Sequence, residues 1–349
     1  MDIKKELWGK SDSGKGIYKY TLTNSKGASL VLGEVGAAIV SVIVPDKDGK
    51  MADVALGYKE PKSYIGDGPC LGKCPGRFAN RIALGKFTLD GKEYSTPVNC
   101  GPNALHGGPE GFANQIWESR IEGDAVEFMY FSEDGEMGYP GNLKAVAHYE
   151  WSEDNEIKLT LTAECDAPTF VNLTNHAYFN LNGEGSGTVL NHMLKLNCSE
   201  YLPTDDTQIP LGDSQPVAGT PMDFVNAKTV GRDIRADFEA LKIGNGYDHC
   251  WVIDGAQEGQ LQSCAKLWSE ESGRMMEIIT TQPGLQVYTA NWLAGCPEGK
   301  NGHVYGNNDG IALECQHFPD SPNKPEYPST LLKPGEVYEE AIIYAFTTL

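Results

Sequence analysis

Basic residues are scarce in this sequence. Lys and Arg number 28 against 48 Asp and Glu, a formal net charge of −20 over 349 residues. Nucleic acid and anionic membranes need a basic surface, so neither is an expected partner. The same excess disfavours a heavily phosphorylated substrate and leaves neutral small molecules, cations or other proteins. Long apolar runs are also missing. The longest, near Val35–Val44, is too short to span a bilayer. The start, Met1-Asp2-Ile3-Lys4-Lys5-Glu6, has no apolar signal region. The expected location is therefore the cytoplasm, although a chain trimmed of an export leader would begin the same way. None of the nine cysteines forms a Cys-x-x-Cys pair. That argues against a structural zinc site and for scattered reduced thiols. A Walker motif, a Gly-x-Ser-x-Gly elbow and a His-Glu-x-x-His run are all absent. The glycines of Gly183–Gly187 have the wrong spacing for a dinucleotide loop.

Turn residues are abundant instead. The chain holds 40 Gly and 20 Pro, the punctuation of a protein made of strands and turns. Ile157, Leu159 and Leu161 alternate with Lys158, Thr160 and Thr162, the period of a half-buried strand. Asp90-Gly91 separates two alternating runs and Asp48-Gly49 follows Val40–Val44, so both predict hairpins. Ala341–Phe346 reads as a buried closing strand. Helical periodicity is confined to Val230–Ile243, where Ile234, Phe238 and Leu241 share a face, with a helical turn near Tyr58–Tyr64. No repeat or linker divides the chain. The expectation is one all-β domain spanning residues 1–349, a large β-sandwich with few short helices.

Candidate chemistry falls on a few polar residues in unusual company. His106 precedes Gly107-Gly108, which implies a tight turn or a close approach. His176 lies in Asn172-Leu173-Thr174-Asn175-His176-Ala177-Tyr178-Phe179-Asn180, where polar and apolar residues alternate as though one strand face lined a cleft. Tyr247-Asp248-His249 follows a Gly-Asn-Gly turn, and Glu314 ends the apolar run Ile311–Leu313. Two histidines, an Asp and a Glu in one cleft suit acid/base work or a metal. Glu314, His317 and Asp320 have the spacing of a ligand run, but Pro319 and Pro322 favour an irregular loop there.

Six segments in one order carry a family resemblance. They are Gly76–Ile82, Leu105–Gly108, Asn175–Leu181, Tyr247–His249, Pro283–Thr289 and Leu313–Asp320. Together they resemble the galactose mutarotase (aldose 1-epimerase) family from about residue 15 to the C-terminus. The resemblance implies that family's large β-sandwich and open sugar cleft. It implies an isomerase that interconverts the α and β anomers of free aldohexoses such as galactose and glucose. Glu314 then matches the base on the anomeric hydroxyl, His176 the acid on the ring oxygen, and His106 an assisting group. Asn80, Arg81, Asp248 and Gln286 match positions that hold sugar hydroxyls. Asn323-Lys324-Pro325 departs from the family pattern, which bears on substrate detail.

The chemistry is consistent with those roles. Opening a hemiacetal needs a base on the C1 hydroxyl and an acid on the ring oxygen, and closure needs the same groups with roles exchanged. Tyr178 or Trp292 would serve as an aromatic platform under the sugar. No cofactor and no metal is expected, and the chain is expected to be a monomer or weak homodimer. Two rivals remain on the same fold. A hexose-6-phosphate epimerase needs cationic anchors, yet arginine occurs only at 77, 81, 120, 232, 235 and 274. A non-catalytic carbohydrate-binding module needs no acid/base pair.

Overall fold

A computed structural model describes residues 1–349. Two sheets form most of the core. The larger has nine strands in the order Glu118–Glu122, Ala125–Ser132, Leu143–Trp151, Glu156–Cys165, Tyr338–Thr348, Arg274–Thr280, Gln262–Trp268, Met193–Leu196 and Lys228–Thr229. The other has six: Tyr178–Phe179, Ile311–Gln316, Gly284–Tyr288, Asp248–Val252, Glu200–Tyr201 and Gln215–Pro216. Their inner faces meet. Phe179 packs on Tyr344 and Phe346 with ring centroids 5.3 and 5.7 Å apart, and Cys264 Sγ lies 4.0 Å from Cys315 Sγ. A five-stranded sheet covers residues 2–53 and joins the same core through Tyr20 against Phe128.

The alternation expected around residue 159 is present. Ile157, Leu159 and Leu161 are buried, and Ile157 and Leu159 pair with Tyr344 and Ile342 of the closing strand. That strand lies in mid-sheet and not at an edge, because it pairs on its other side with Arg274–Thr280. Asp90-Gly91 joins Lys86–Leu89 to Lys92–Ser95, and Asp48-Gly49 lies between Ala38–Pro45 and Met51–Asp53. Asp90, Gly91 and Gly49 all have positive φ, as tight hairpins require.

Two local expectations change. The helix is Glu239–Ile243 only. Phe238 is extended at φ −136°, and a Lys228–Asp233 ion pair (2.7 Å) fastens the stretch before it as a turn. The residues around His176 are not one strand. Only Thr169–Phe170 and Tyr178–Phe179 pair as strands. Between them, buried Asn172 and Asn175 donate to the carbonyls of Ala79 and Gly72, and Thr174 donates to that of Cys315. Irregular backbone bonds remain, such as the His176 N–H to the Lys73 carbonyl, and side-chain hydrogen bonds supplement them. The helical turn near Tyr58 is a 3-10 turn, Pro61–Tyr64. No helix is long and apolar enough to cross a membrane.

Candidate active site

Strand pairing places the key side chains on one pleat face. Cys250, Gln286 and Glu314 face one another across three adjacent strands, and Asp248, Tyr288, Ala312 and Tyr178 form the next row. Directly paired residues of antiparallel strands share a face, so this face carries Glu314, Gln286, Asp248 and Tyr178. Leu285, Val287, Ile311 and Leu313 take the other face into the core. His249 also alternates away. Its ring sits edge-on to Trp251 at 6.3 Å, and its Nδ1 accepts the Asp248 N–H.

Two short strands close the site from the far side. Arg81–Ile82 pairs with Ala104–Leu105, which sets Asn80 and Arg81 beside His106. The turn after His106 needs glycine. A Cβ on Gly107, which has φ +82°, would sit 2.0 Å from the Gly76 carbonyl oxygen. His106 is itself left-handed at φ 52°.

These residues surround a cavity of about 340 Å³, a volume suited to a small molecule. Its lining contains Asn80, Arg81, His106, His176, Tyr178, Asp248 and Glu314, with Trp292 at the mouth. Gln286 joins through Asp248, to whose Oδ1 its Nε2 donates at 2.7 Å. A larger cavity of about 810 Å³ beside Leu331, Tyr338 and Glu340 holds none of these groups.

His176 Nε2 lies 3.4 Å from Glu314 Oε1. Ligating atoms of His106, His176 and Glu314 all fall within 4.8 Å of one another. Burial disfavours both charged forms of the central pair. It drives the Glu314 carboxyl well above its usual range, with Asp248 adding to the rise and Arg81 opposing it. Burial also brings the His176 imidazole down to about 4, against smaller opposing effects that include Asp248. His106 is held well below its normal value by burial first, then by His176 and Arg81.

The imidazoles are oriented differently. His106 Nδ1 accepts the Asn80 N–H at 3.1 Å, which leaves the hydrogen of the neutral ring on Nε2. His176 Nδ1 has no hydrogen-bond partner, so no neighbouring amide fixes its tautomer. Its ring is instead stacked on Tyr178 (4.9 Å, 26°) and edge-on to His106 (5.3 Å, 81°). Tyr178 therefore backs His176 and is no open platform, and its hydroxyl donates to the Pro69 carbonyl. Trp292, 66% exposed, is the accessible aromatic.

The cluster suits protons better than a metal ion. A metal-bound histidine normally donates its second ring N–H to an acceptor. Here His106 Nδ1 receives a hydrogen bond and His176 Nδ1 has no acceptor. The Glu314-His317-Asp320 run does not converge. His317 Nδ1 lies against Gln282 at 2.9 Å, while Asp320 accepts from the Ala83 N–H and Asn323.

Gln208 is one of five lining residues outside the six segments, with Gly68, Pro69, Cys100 and Trp292. Gln208, φ 64°, stands between Arg81 and Asp248. The run Asp205-Asp206-Thr207 announces a turn, but nothing local indicates where that turn points.

Comparison with known proteins agrees with the architecture. The family model for aldose 1-epimerase matches residues 18–345. Galactose mutarotase of Sus scrofa is 39% identical over 347 residues, covering 99% of each chain. Aldose 1-epimerase of Escherichia coli K12 is 40% identical over 329 residues, covering 93% of this chain and 94% of that one. Among solved structures, an aldose epimerase homologue from C. elegans superposes with a TM-score of 0.86 at 33% identity, covering 94% and 98%. The chain belongs to the aldose 1-epimerase family. It is an isomerase, and its activity is mutarotation, the interconversion of aldose anomers.

Proposed function

We propose that Glu314 and His176 open and close the sugar ring, that His106 assists, and that galactose and glucose are the substrates. The carrying observation is proximity. The anomeric hydroxyl and the ring oxygen are both bonded to C1, so base and acid must work within a few ångströms of each other. Glu314 Oε1 and His176 Nε2 are 3.4 Å apart. Glu314 takes the hydroxyl proton while His176 delivers one to the ring oxygen, and the C1–O bond of the ring breaks to give the open aldehyde. Rotation about C1–C2 presents the other carbonyl face, and closure returns both protons along the reverse path. The Nε2–H of His106 polarises the ring oxygen.

Asn80, Arg81, Asp248 and Gln286 hold the distal hydroxyls. Their amides, carboxylate and guanidinium supply the donors and acceptors a polyhydroxylated ring requires. Glu314 Oε2 and Gln286 Oε1 are buried without a protein partner, which fits acceptors reserved for hydroxyl groups. A phosphorylated hexose fits less well. Arg81 is the one cationic side chain lining the cavity, and it is engaged by Gln208 and Asp248.

The chain acts as one domain over residues 1–349, a reading supported by a 58-residue apolar cluster drawn from Tyr20 to Phe346. A cytoplasmic monomer or weak homodimer agrees with nine free thiols and the acidic surface.

The test of the assigned roles compares His176→Asn with His106→Asn on fresh α-D-galactose by polarimetry. Loss of the acid cuts kcat steeply, about 10² to 10⁴. Loss of the helper costs less and raises KM. A more severe kcat loss in His106→Asn would reverse the two roles, and two variants equal to wild type would overturn the mechanism.

A further inference from the structure

Arg81 and Asp248 face the cavity as oppositely charged neighbours, and they do not close on each other. Their nearest approach, Nη2 to Oδ2, is 3.6 Å. A close guanidinium–carboxylate contact is nearer 2.7–2.9 Å. Gln208 accounts for the difference. Its Oε1 accepts from Arg81 Nη2 at 2.6 Å, and its Nε2 donates to Asp248 Oδ2 at 2.7 Å. The amide orientation is unambiguous, because a guanidinium only donates and a carboxylate only accepts.

The segment carrying Gln208 is braced. Asp205 Oδ1 accepts from the Thr207 N–H, the Thr207 hydroxyl and the Ile209 N–H at 2.8, 2.8 and 3.0 Å. Asn103 Nδ2 donates to the Thr207 carbonyl and hydroxyl at 3.1 and 3.0 Å. The amide is thus fixed from outside and inserted between two groups that would otherwise pair directly. On the opposite side Gln286 holds Asp248 Oδ1, so the carboxylate is clamped by two amides. A neutral bridge suits this position, since it satisfies both charges and adds none.

We infer that Gln208 is a positioning residue that keeps the Arg81–Asp248 pair ajar and thereby sets how sharply the site discriminates between aldoses differing at a distal hydroxyl. The inference rests on the reading of Arg81 and Asp248 as hydroxyl anchors. Without the amide, guanidinium and carboxylate collapse into a direct pair that the sugar must first break. The effect falls on binding and selectivity, because Gln208 touches neither Glu314 nor the histidines. The arrangement also bears on the base, since Asp248 raises and Arg81 lowers the proton affinity of Glu314.

The experiment measures kcat and KM for D-galactose and D-glucose in wild type, Gln208→Leu, Gln208→Glu and Asp248→Asn. Circular dichroism and Tm establish folding. Gln208→Leu removes both hydrogen bonds at similar size. Its KM rises about tenfold, as expected for hydrogen bonds to charged groups, while kcat stays within threefold. The galactose-to-glucose ratio of kcat/KM moves toward one. Gln208→Glu keeps the Arg81 contact but repels Asp248, so its KM also rises, and the acid limb of its kcat/KM profile moves to higher pH. If Gln208→Leu is folded and keeps the wild-type KM and sugar ratio, the inference is wrong. Should it fail to fold, Gln208→Glu with unchanged KM and pH profile overturns it equally. Asp248→Asn separates the two layers. A raised KM in Asp248→Asn beside an unchanged Gln208→Leu removes only the role of Gln208. An unchanged KM in Asp248→Asn removes the anchor reading as well.

Discussion

Glu314→Gln tests the proposed base with almost no change of shape. The side chain is 2% exposed, and its Oε1 faces His176 Nε2 at 3.4 Å. Losing a general base typically costs about 10² to 10⁴ in rate, or roughly 3–5 kcal/mol of transition-state stabilisation. The surroundings favour the upper half of that range. Asp248 is the only other carboxylate in the lining, and its oxygens are occupied by Gln286 and Gln208. No neighbour is free to substitute. The expected kcat is therefore about 10³ to 10⁴ below wild type. The glutamine amide can still meet sugar hydroxyls, so binding followed through Trp292 fluorescence stays within about threefold. Folding should not suffer. Burial raises the Glu314 pKa above its unfolded value. Its contribution to stability is therefore present at low pH and lost as pH rises through the folded pKa. A neutral isostere removes that loss, and Tm at pH 8 is expected at or above wild type. The assay is polarimetry of fresh α-D-galactose with the spontaneous rate subtracted. A folded variant whose kcat lies within threefold of wild type would remove Glu314 from the base role.

Further outcomes are expected. In wild type, kcat/KM falls on the acid side at a pH above the ordinary carboxylate range, because Glu314 must lose its proton and burial resists that; a limb near 4.5 refutes this. Glu340 is raised to about 7 by burial, opposed by Thr281 and reinforced by Glu258 and Glu339. Its stabilising contribution is present below about 4.5 and lost as pH rises through 7. Glu340→Gln should flatten the fall of Tm between pH 4.5 and 7.5, and an unchanged slope refutes it. Activity should survive exhaustive dialysis against EDTA, since His106 keeps its ring hydrogen on Nε2. A loss restored by one divalent ion refutes it.

Local patterns carried much of the fold. The alternation at Ile157–Leu161 and the two Asp-Gly hairpins depend on near neighbours, so they are readable along the chain. The helix was overextended because apolar spacing at Ile234, Phe238 and Leu241 is equally satisfied by a turn followed by one short helix. Tertiary contacts decide there, with the Lys228–Asp233 pair and the hydrogen bond from the Gly231 N–H to the Leu190 carbonyl fixing the turn. At residues 172–176 the polar alternation was real, but its polar members bond buried backbone and only His176 reaches the cavity. The convergence of Glu314, His176 and Asp248 on one cavity was legible through the serial motifs. Gln208 was not, because its partners Arg81 and Asp248 lie 127 and 40 residues away. Nothing near it in sequence records those contacts.

The assembly of the cavity from Asn80, His106, His176, Asp248 and Glu314 also determines when activity appears during folding. Each group arrives on a separate segment, and their meeting closes loops of tens to more than a hundred residues. Loop closure of that kind precedes any return in contact energy and slows the search. Glu314 and Gln286 face each other only when the Ile311–Gln316 and Gly284–Tyr288 strands are in register. A slip of one residue turns Glu314 into the core and brings Leu313 or Cys315 to the cavity. Regain of catalysis after dilution from denaturant is thus a measure of correct strand register across the six-stranded sheet, and far-ultraviolet signal recovered before it reports sheets that have formed without yet being aligned.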